Sequence, residues 1–527
     1  MIPMISSVVM TIPLTPERPS VAGRLSGKPA NGAPARMKHR LIAPARICAF
    51  AGCMLLAAAM HASGKSFQFP ELRGFSARGC QVSALVVNLE NGSRLAAFHP
   101  GIQLIPASLS KLYVAAAVLR HYGAQHRFTT RLLADGTLHD GRLGGNLVFL
   151  PGGDPGLTNA ELWRLANTAH AAGLRGVSGD LVVNISRFGR LACELPDRCA
   201  ALARSTDAYN APLSAAAVNY GTVEVIVLPG THIGAPARVV LAPFAVPMLQ
   251  LDAQVSTSAA NGTMQLDVER VTVNGGDRVI VRGTVPLDSG PQRIYRAVSH
   301  PDRYAGQLLR AFLQQAGIVV AGHIAVSSDA AQGTSLAMVR GHTLAEIVHG
   351  MLLYSNNFIA DMLTLDLAAD SGQMRPFTLA QAGAVLVHSG AAAHGMLGGD
   401  TPPQLLSGSG LSTGSRVSAE DLVNLLAQMY RDDGDFPAFL GALTVPAHTP
   451  VQMLKGGDDR WMTQIAVKTG SLDQPVSVLG VAGYLRFDNG QWGAFAVIAN
   501  GSPNHPVFSN NAALRAIRAD LSRLFGS

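Results

Sequence analysis

The chain has 527 residues, too many for one hydrophobic core, and its 48% hydrophobic and 14% charged residues are those of a globular protein with several domains. The net charge of +7 is concentrated at the start: residues 1–62 carry seven basic side chains, from Arg18 to Arg46, against Glu17, leaving about +1 for the rest. A nearly neutral folded part argues against a nucleic-acid binder, which keeps its basic excess on the folded surface.

Residues 1–62 read as a leader. Met37-Lys38-His39-Arg40 opens a basic segment, and the 14 residues from Ile47 to Met60 form an apolar run too short to span a bilayer. This is the pattern of a secretory signal peptide that starts at Met37, with cleavage near Ala57-Ala58-Ala59 or Met60-His61-Ala62, and it implies export to the periplasm. Ala51-Gly52-Cys53 is a faint lipoprotein box, and the apolar run continuing past Cys53 speaks against it. No later segment approaches ~20 apolar residues, so no membrane span is expected in the mature protein. Of the cysteines beyond the leader, Cys193 and Cys199 are close enough to bridge in an oxidising compartment, which leaves Cys80 as the odd thiol. Three unpaired small hydrophobes are the plain alternative.

Gln81 to Leu89 predicts a strand, Asn91-Gly92 a hairpin turn, and Arg94 to Phe98 the return strand. Pro106 precedes a helical pattern from Ser108 to about Tyr122, closed by Gly123. From Arg127 to Val298 short strand-like runs dominate: Gly145 to Leu150, Gly179 to Asn184, Thr222 to Leu228, Arg238 to Leu241, Gln265 to Val273 and Asp277 to Val285. Helical patterning returns from Tyr304 and includes Ala345 to Leu367. Thr463 to Val467 reads as a strand that ends in Lys468-Thr469-Gly470. A hairpin around Asp488-Asn489-Gly490 and an amphipathic helix from Asn511 to Phe525 follow. Both ends of the chain thus supply strands for one antiparallel sheet flanked by helices. The expected domains are a catalytic domain of residues 63–126 and 299–527, with residues 127–298 inserted as one or two small β-rich domains.

Three motifs stand in order: Ser108-x-x-Lys111, Ser355-x-Asn357 and Lys468-Thr469-Gly470. Each alone has an ordinary explanation. Ser108 could be a helix N-cap, Ser355-Asn356-Asn357 a polar helix surface, and Lys468-Thr469-Gly470 a strand end entering a turn. Together they suit acyl transfer. A serine hydroxyl needs a base, and Lys111, three residues on, shares a helix face with Ser108. Lys111 can be that base only if burial or neighbouring cations lower its pKa. Ser355 can relay a proton to a leaving nitrogen, and Asn357 can hold a substrate amide through paired donor and acceptor. Lys468 and Thr469 suit a substrate carboxylate, and Gly470 allows close backbone approach. The N–H groups of Ser471 and Ser108 could form an oxyanion hole. This chemistry calls for no cofactor and no metal.

On these residues the chain resembles the DacB-type low-molecular-mass class C penicillin-binding proteins, the D-alanyl-D-alanine carboxypeptidase/endopeptidase family, from about Val82 to the C-terminus. Gly153-Asp154-Pro155, Tyr209-Asn210-Ala211-Pro212, Asn356-Asn357-Phe358-Ile359-Ala360-Asp361 and Gly408-Ser409-Gly410-Leu411-Ser412 support the likeness. The resemblance implies a penicillin-binding α/β domain of the serine β-lactamase-like class, with domains inserted between the first two motifs. It implies Ser108 as acylated nucleophile, Lys111 as base, Ser355 and Asn357 as second element, and Lys468, Thr469 and Gly470 as carboxylate site. Its partners would be peptidoglycan stem peptides and β-lactam antibiotics. Two departures stand out. Ser407 replaces an aspartate before Gly408-Ser409-Gly410. The stretch from Cys193 to Tyr209 lacks the tryptophan associated with gripping a diamino-acid side chain, with Asp207 as a weak counterpart. A β-lactamase, a D-amino-acid esterase or amidase, and a silent wall-binding or penicillin-sensing protein are the rival readings on the same scaffold.

Overall fold

A computed structural model describes residues 67–372, 375, 378–390 and 401–526. The leader, its signal peptide and the lipoprotein box lie outside these residues.

The central sheet has five antiparallel strands in the order Ile465–Leu472, Val478–Arg486, Trp492–Asn500, Gln81–Asn88 and Arg94–Phe98. It is therefore built from both ends of the chain, as the two hairpin signals predict. Its core strands read as near-continuous apolar runs because both faces are covered. One face packs Phe69, Leu72 and Phe75, from the Pro70–Ala77 helix and the residue before it, and Leu514, Ile517 and Leu521 from the Asn510–Ser522 helix. The other face meets the Ala419–Tyr430 helix and, beyond it, the Ser110–Tyr122 helix. Every residue from Ser110 to Leu119 is buried, so this helix is a core element on all sides. Lys111 is buried with it, and that burial sets the lysine's chemistry.

The region between the first and second motifs is β-rich, as expected. Arg127–His139 and Arg142–Leu150 form a long hairpin whose turn places Asp140 at φ 47° and Gly141 at φ 76°. Strands Leu249–Ser258, Gly276–Pro286 and Gln265–Val273 make a second sheet, and Thr222–Leu228, Arg238–Ala242 and Gln292–Ala297 a third. Strands beyond Val298 join the same sheet as the Arg127 hairpin. Thr334–Thr343 pairs with Arg127–His139, Ile324–Ser327 pairs with Leu181–Asn184, and the Pro301–Gln315 helix packs against the same sheet. The long strands at Arg127, Leu249 and Thr334 escape a periodicity reading because polar residues interrupt them on both faces.

Two local expectations change. The helical stretch Ala345 to Leu367 is two helices, Leu344–Leu353 and Asn357–Asp370. The strand expected to end at Val467 continues through Lys468-Thr469-Gly470 to Leu472, with Lys468 opposite Ala482 and Gly470 opposite Gly480. Hydrogen bonding to the neighbouring strand outweighs the glycine's low strand preference.

Candidate active site

Ser108 sits on a single 3-10 turn, Ala107–Leu109, that runs directly into the Ser110–Tyr122 helix. Its side chain does not cap the helix, so the N-cap reading falls. Its Oγ is instead 2.8 Å from Lys111 Nζ. The turn is under strain: Ala107 adopts φ 48°, a left-handed conformation that costs a non-glycine residue ~1–3 kcal/mol. Gly410 packs against its carbonyl so closely that a Cβ there would overlap Ala107.

The break between the two helices explains the second motif. The N–H of Asn356 donates to Met351 O at 3.0 Å, the long bond of a Schellman helix end. Ser355 occupies the left-handed position at φ 54° that usually takes glycine. Asn356 then caps the next helix, its Oδ1 accepting the N–H of Ile359 at 3.0 Å. The motif is therefore a corner, and the corner aims Ser355 and Asn357 toward two different lysines.

Lys111 Nζ lies 2.7 Å from Asn357 Oδ1 and 2.7 Å from Ser409 O, in addition to Ser108 Oγ. As an ammonium it donates to all three. As a neutral amine it has two N–H donors and one lone pair, so Asn357 and Ser409 take the donors and the lone pair faces the Ser108 hydroxyl. Burial pushes the Lys111 amine well below the ordinary lysine range. The Lys468 charge acts in the same direction, Asp361 opposes it, and Arg198 adds to it. Lys468 Nζ donates to Ser355 Oγ at 3.0 Å and to Thr469 O at 2.6 Å, and burial brings its pKa down to about 7.

The third motif meets the first at Gly470. A Cβ there would stand 3.0 Å from both Ser108 N and Leu109 N and 2.9 Å from Pro106 O. Only glycine lets the strand lie this close to the nucleophile's turn. Val467 exchanges both backbone bonds with Thr444, at 2.9 Å each, on the outer edge of this strand. Backbone direction alternates every residue, so the N–H groups of Thr469 and Ser471 point to that same edge. Ser108, Lys111, Ser355, Asn357, Lys468, Thr469 and Gly470 are thus gathered in one place, with Ser471 exposed at its rim.

Two supports were not singled out from the sequence: Arg198 and the Ser409 carbonyl. Asp361 ends the Asn356-Asn357-Phe358-Ile359-Ala360-Asp361 motif. Asp361 Oδ1 accepts the N–H of Ser409 at 2.8 Å, and its Oδ2 pairs with Arg198 at 2.7 Å. Arg198 also donates to Ala211 O and, at 3.3 Å, to Asn357 O. The only trace of Arg198 in the sequence is one basic residue three before Ala201 in a short helix, and both are buried.

Residues 74–524 match the family described as D-Ala-D-Ala carboxypeptidase 3 (S13). The chain belongs to this family. A D-alanyl-D-alanine carboxypeptidase of Actinomadura sp. (strain R39) is 32% identical over 365 residues, covering 66% of this chain and 64% of that protein. D-alanyl-D-alanine carboxypeptidase DacB of Haemophilus influenzae is 26% identical over 435 residues, covering 80% of this chain and 86% of that protein. The crystal structure of penicillin binding protein 4 (dacB) from Haemophilus influenzae shares the fold, with a TM-score of 0.70 and 23% identity over 85% of this chain and 97% of that one. The penicillin-binding α/β fold expected from the motifs is therefore present.

The two departures from the S13 pattern take definite forms. Ser407 is fully buried, and its Oγ accepts the N–H of Gly410 at 3.3 Å, so a neutral hydroxyl now braces the Ser409 loop. The stretch without tryptophan is tied by a disulfide between Cys193 and Cys199, and it is this stretch that delivers Arg198. Cys80 is free and buried. Among the described residues no helix is long and apolar enough to cross a membrane.

Proposed function

We propose that this chain is an exported, periplasmic serine D,D-peptidase that cleaves the D-Ala-D-Ala bond of peptidoglycan stem peptides through an acyl-enzyme and is acylated by β-lactams. The single observation that carries the reading is Lys111 Nζ, buried, depressed in pKa and held between Ser108 Oγ, Asn357 Oδ1 and Ser409 O.

Neutral Lys111 takes the Ser108 proton as Oγ attacks the carbonyl carbon of the penultimate D-alanine. The developing oxyanion is met by the N–H groups of Ser108 and Ser471, a pairing supported by the close approach of Gly470 to the Ser108 turn. The terminal D-alanine carboxylate sits at Lys468 and Thr469 as a charge-assisted pair. Ser355, hydrogen-bonded to Lys468, passes a proton to the leaving nitrogen as the C–N bond breaks. Lys111 Nζ, now carrying the Ser108 proton, restores the relay. Water then attacks the ester with Lys111 as base, releasing the shortened peptide and regenerating Ser108.

Intact-mass analysis after incubation with a labelled penicillin tests this directly. The wild-type chain is expected to gain one adduct on Ser108, and Ser108→Ala none. Equal labelling of the variant sinks the assignment of Ser108. Release of D-alanine from a peptide ending in D-Ala-D-Ala then separates a peptidase from a silent penicillin binder.

A further inference from the structure

One buried carboxylate outside the acyl-transfer site sits where the β-rich region meets the catalytic helices. Residues 151–157 form a tight turn, closed by the N–H of Leu157 donating to Asp154 O at 3.3 Å. Asp154 is 1% exposed. Its Oδ1 accepts the N–H of Gly156 at 2.8 Å, while its Oδ2 is sealed from solvent and has no hydrogen-bond partner among the described residues. Oδ2 lies against the backbone of Gly341, where a Cβ would stand only 2.3 Å away. A Cβ on Gly153 would stand 2.5 Å from Asp366 Oδ1, and one on Gly156 3.5 Å from Ile347 Cγ1. The turn is thus wedged against the strand Thr334–Thr343 and the helices Leu344–Leu353 and Asn357–Asp370. Ser355 lies at the corner between those two helices, and Asn357 begins the second.

The cations at this seam are engaged with other groups. Arg187 pairs with Asp366 at 2.9 Å and with Asp370 at 2.6 Å. Arg127 donates to Gly341 O at 2.7 Å. His342 lies 3.7 Å from Glu346 and has the least influence on Asp154. The remaining neighbours are acids or neutral: Glu161, the Tyr220 phenol, and Asp366, whose Oδ2 also lacks a partner. Burial pushes the Asp154 carboxyl up from 3.8 to about 6; the Gly156 N–H opposes the rise and the Glu161 charge adds to it.

We propose that Asp154 is a proton-operated latch between the β-rich region and the helix pair that flanks Ser355. The neutral acid lets the turn seat against Gly341 and Asp366. The ionised form is a sealed charge without a counter-ion, and it drives the turn outward toward water. The folded carboxyl holds its proton more tightly than an unfolded one, near 3.9, so its stabilisation is complete below about pH 4 and is lost as pH rises through about 6.

Hydrogen exchange read by mass spectrometry on the intact chain tests the latch. Asp154→Asn is the permanently neutral form and keeps an oxygen for the Gly156 N–H. The ratio of wild-type to variant exchange rates in residues 153–157 and 357–366 is expected to rise about tenfold from pH 5 to pH 8. An unchanged ratio would assign any pH dependence to other groups, Asp366 included, and overturn the proposal. The wild type alone gives a second reading if the variant fails to fold. Its seam should lose protection relative to the central strands Val478–Arg486 and Trp492–Asn500 as pH rises through about 6. Seam and sheet changing in parallel would equally sink the latch.

Discussion

Arg198 and Asp361 meet at 2.7 Å in the protein interior, their side chains 5% and 0% exposed, and together they tie three separate segments to Lys111. Arg198 comes from the disulfide-bridged stretch, Asp361 from the helix that starts at Asn357, and Ser409 from the loop whose carbonyl receives Lys111 Nζ. Breaking a buried pair from one side leaves an uncompensated charge, which costs ~3–5 kcal/mol. Arg198→Met is therefore expected to lower the unfolding free energy, measured by urea denaturation, by an amount of that size. Arg198→Met with Asp361→Leu should be less damaging than the sum of the two single changes. Strict additivity would show that the pair is not coupled.

Lys111→Arg keeps the charge and approximately the length of the side chain, but a guanidinium stays protonated and cannot accept the Ser108 proton. Penicillin acylation should fall on the order of 10²-fold or more. Stopped-flow acylation at neutral pH measures it, and a normal rate would reduce Lys111 to an electrostatic or packing role.

Lys468 has its pKa lowered to about 7, so its charge is present below that pH and lost above it. For a substrate with a free terminal carboxylate, kcat/KM reports the free enzyme and should decline as pH rises through about 7. Amidating the terminal carboxylate should cost ~1.5–3 kcal/mol, about tenfold to a hundredfold in kcat/KM, and remove the falling limb. A pH profile identical for the two peptides would move carboxylate recognition away from Lys468.

Gly470→Ala introduces a methyl group 3.0 Å from Ser108 N and Leu109 N and 2.9 Å from Pro106 O, the last closer than real Cβ atoms come to backbone. The strand must retreat from the nucleophile's turn, and misplacement of about 1 Å can cost about 10²-fold in rate. Acylation should drop by about that factor while circular dichroism and melting temperature change little. Retained activity would mean that the strand's distance from Ser108 is not critical.

The Cys193–Cys199 bridge closes a short loop around the helix that presents Arg198. A loop of this size is worth ~2 kcal/mol in the chain-entropy account. Thiol counting on a chain lacking residues 1–62, denatured without reductant, should find one free thiol, Cys80. Reduction should weaken the protein by about that energy and loosen Arg198. Three free thiols would remove the bridge.

The sequence by itself determined the elements of this protein whose causes are local. The two terminal hairpins follow from apolar runs around Asn91-Gly92 and Asp488-Asn489-Gly490, and the nucleophile helix from an apolar pattern between Pro106 and Gly123. The three motifs were legible because each is a short fixed spacing, and the tie between Cys193 and Cys199 because seven residues of chain leave them close. Tertiary structure alone decided what depends on distant neighbours. The depressed pKa of Lys111 arises from burial on all sides of its helix, which no spacing encodes. The turn at Ser355 hides in a helical pattern because its serine takes a conformation normally left to glycine. Arg198 and Asp361 are 163 residues apart, and nothing in either local sequence names the other. The continuation of the Lys468 strand to Leu472, and the pairing of Thr334–Thr343 with the Arg127 strand, came from neighbours remote in sequence. A hydrogen-bonded neighbour outweighs intrinsic preference, and only the folded chain supplies that neighbour.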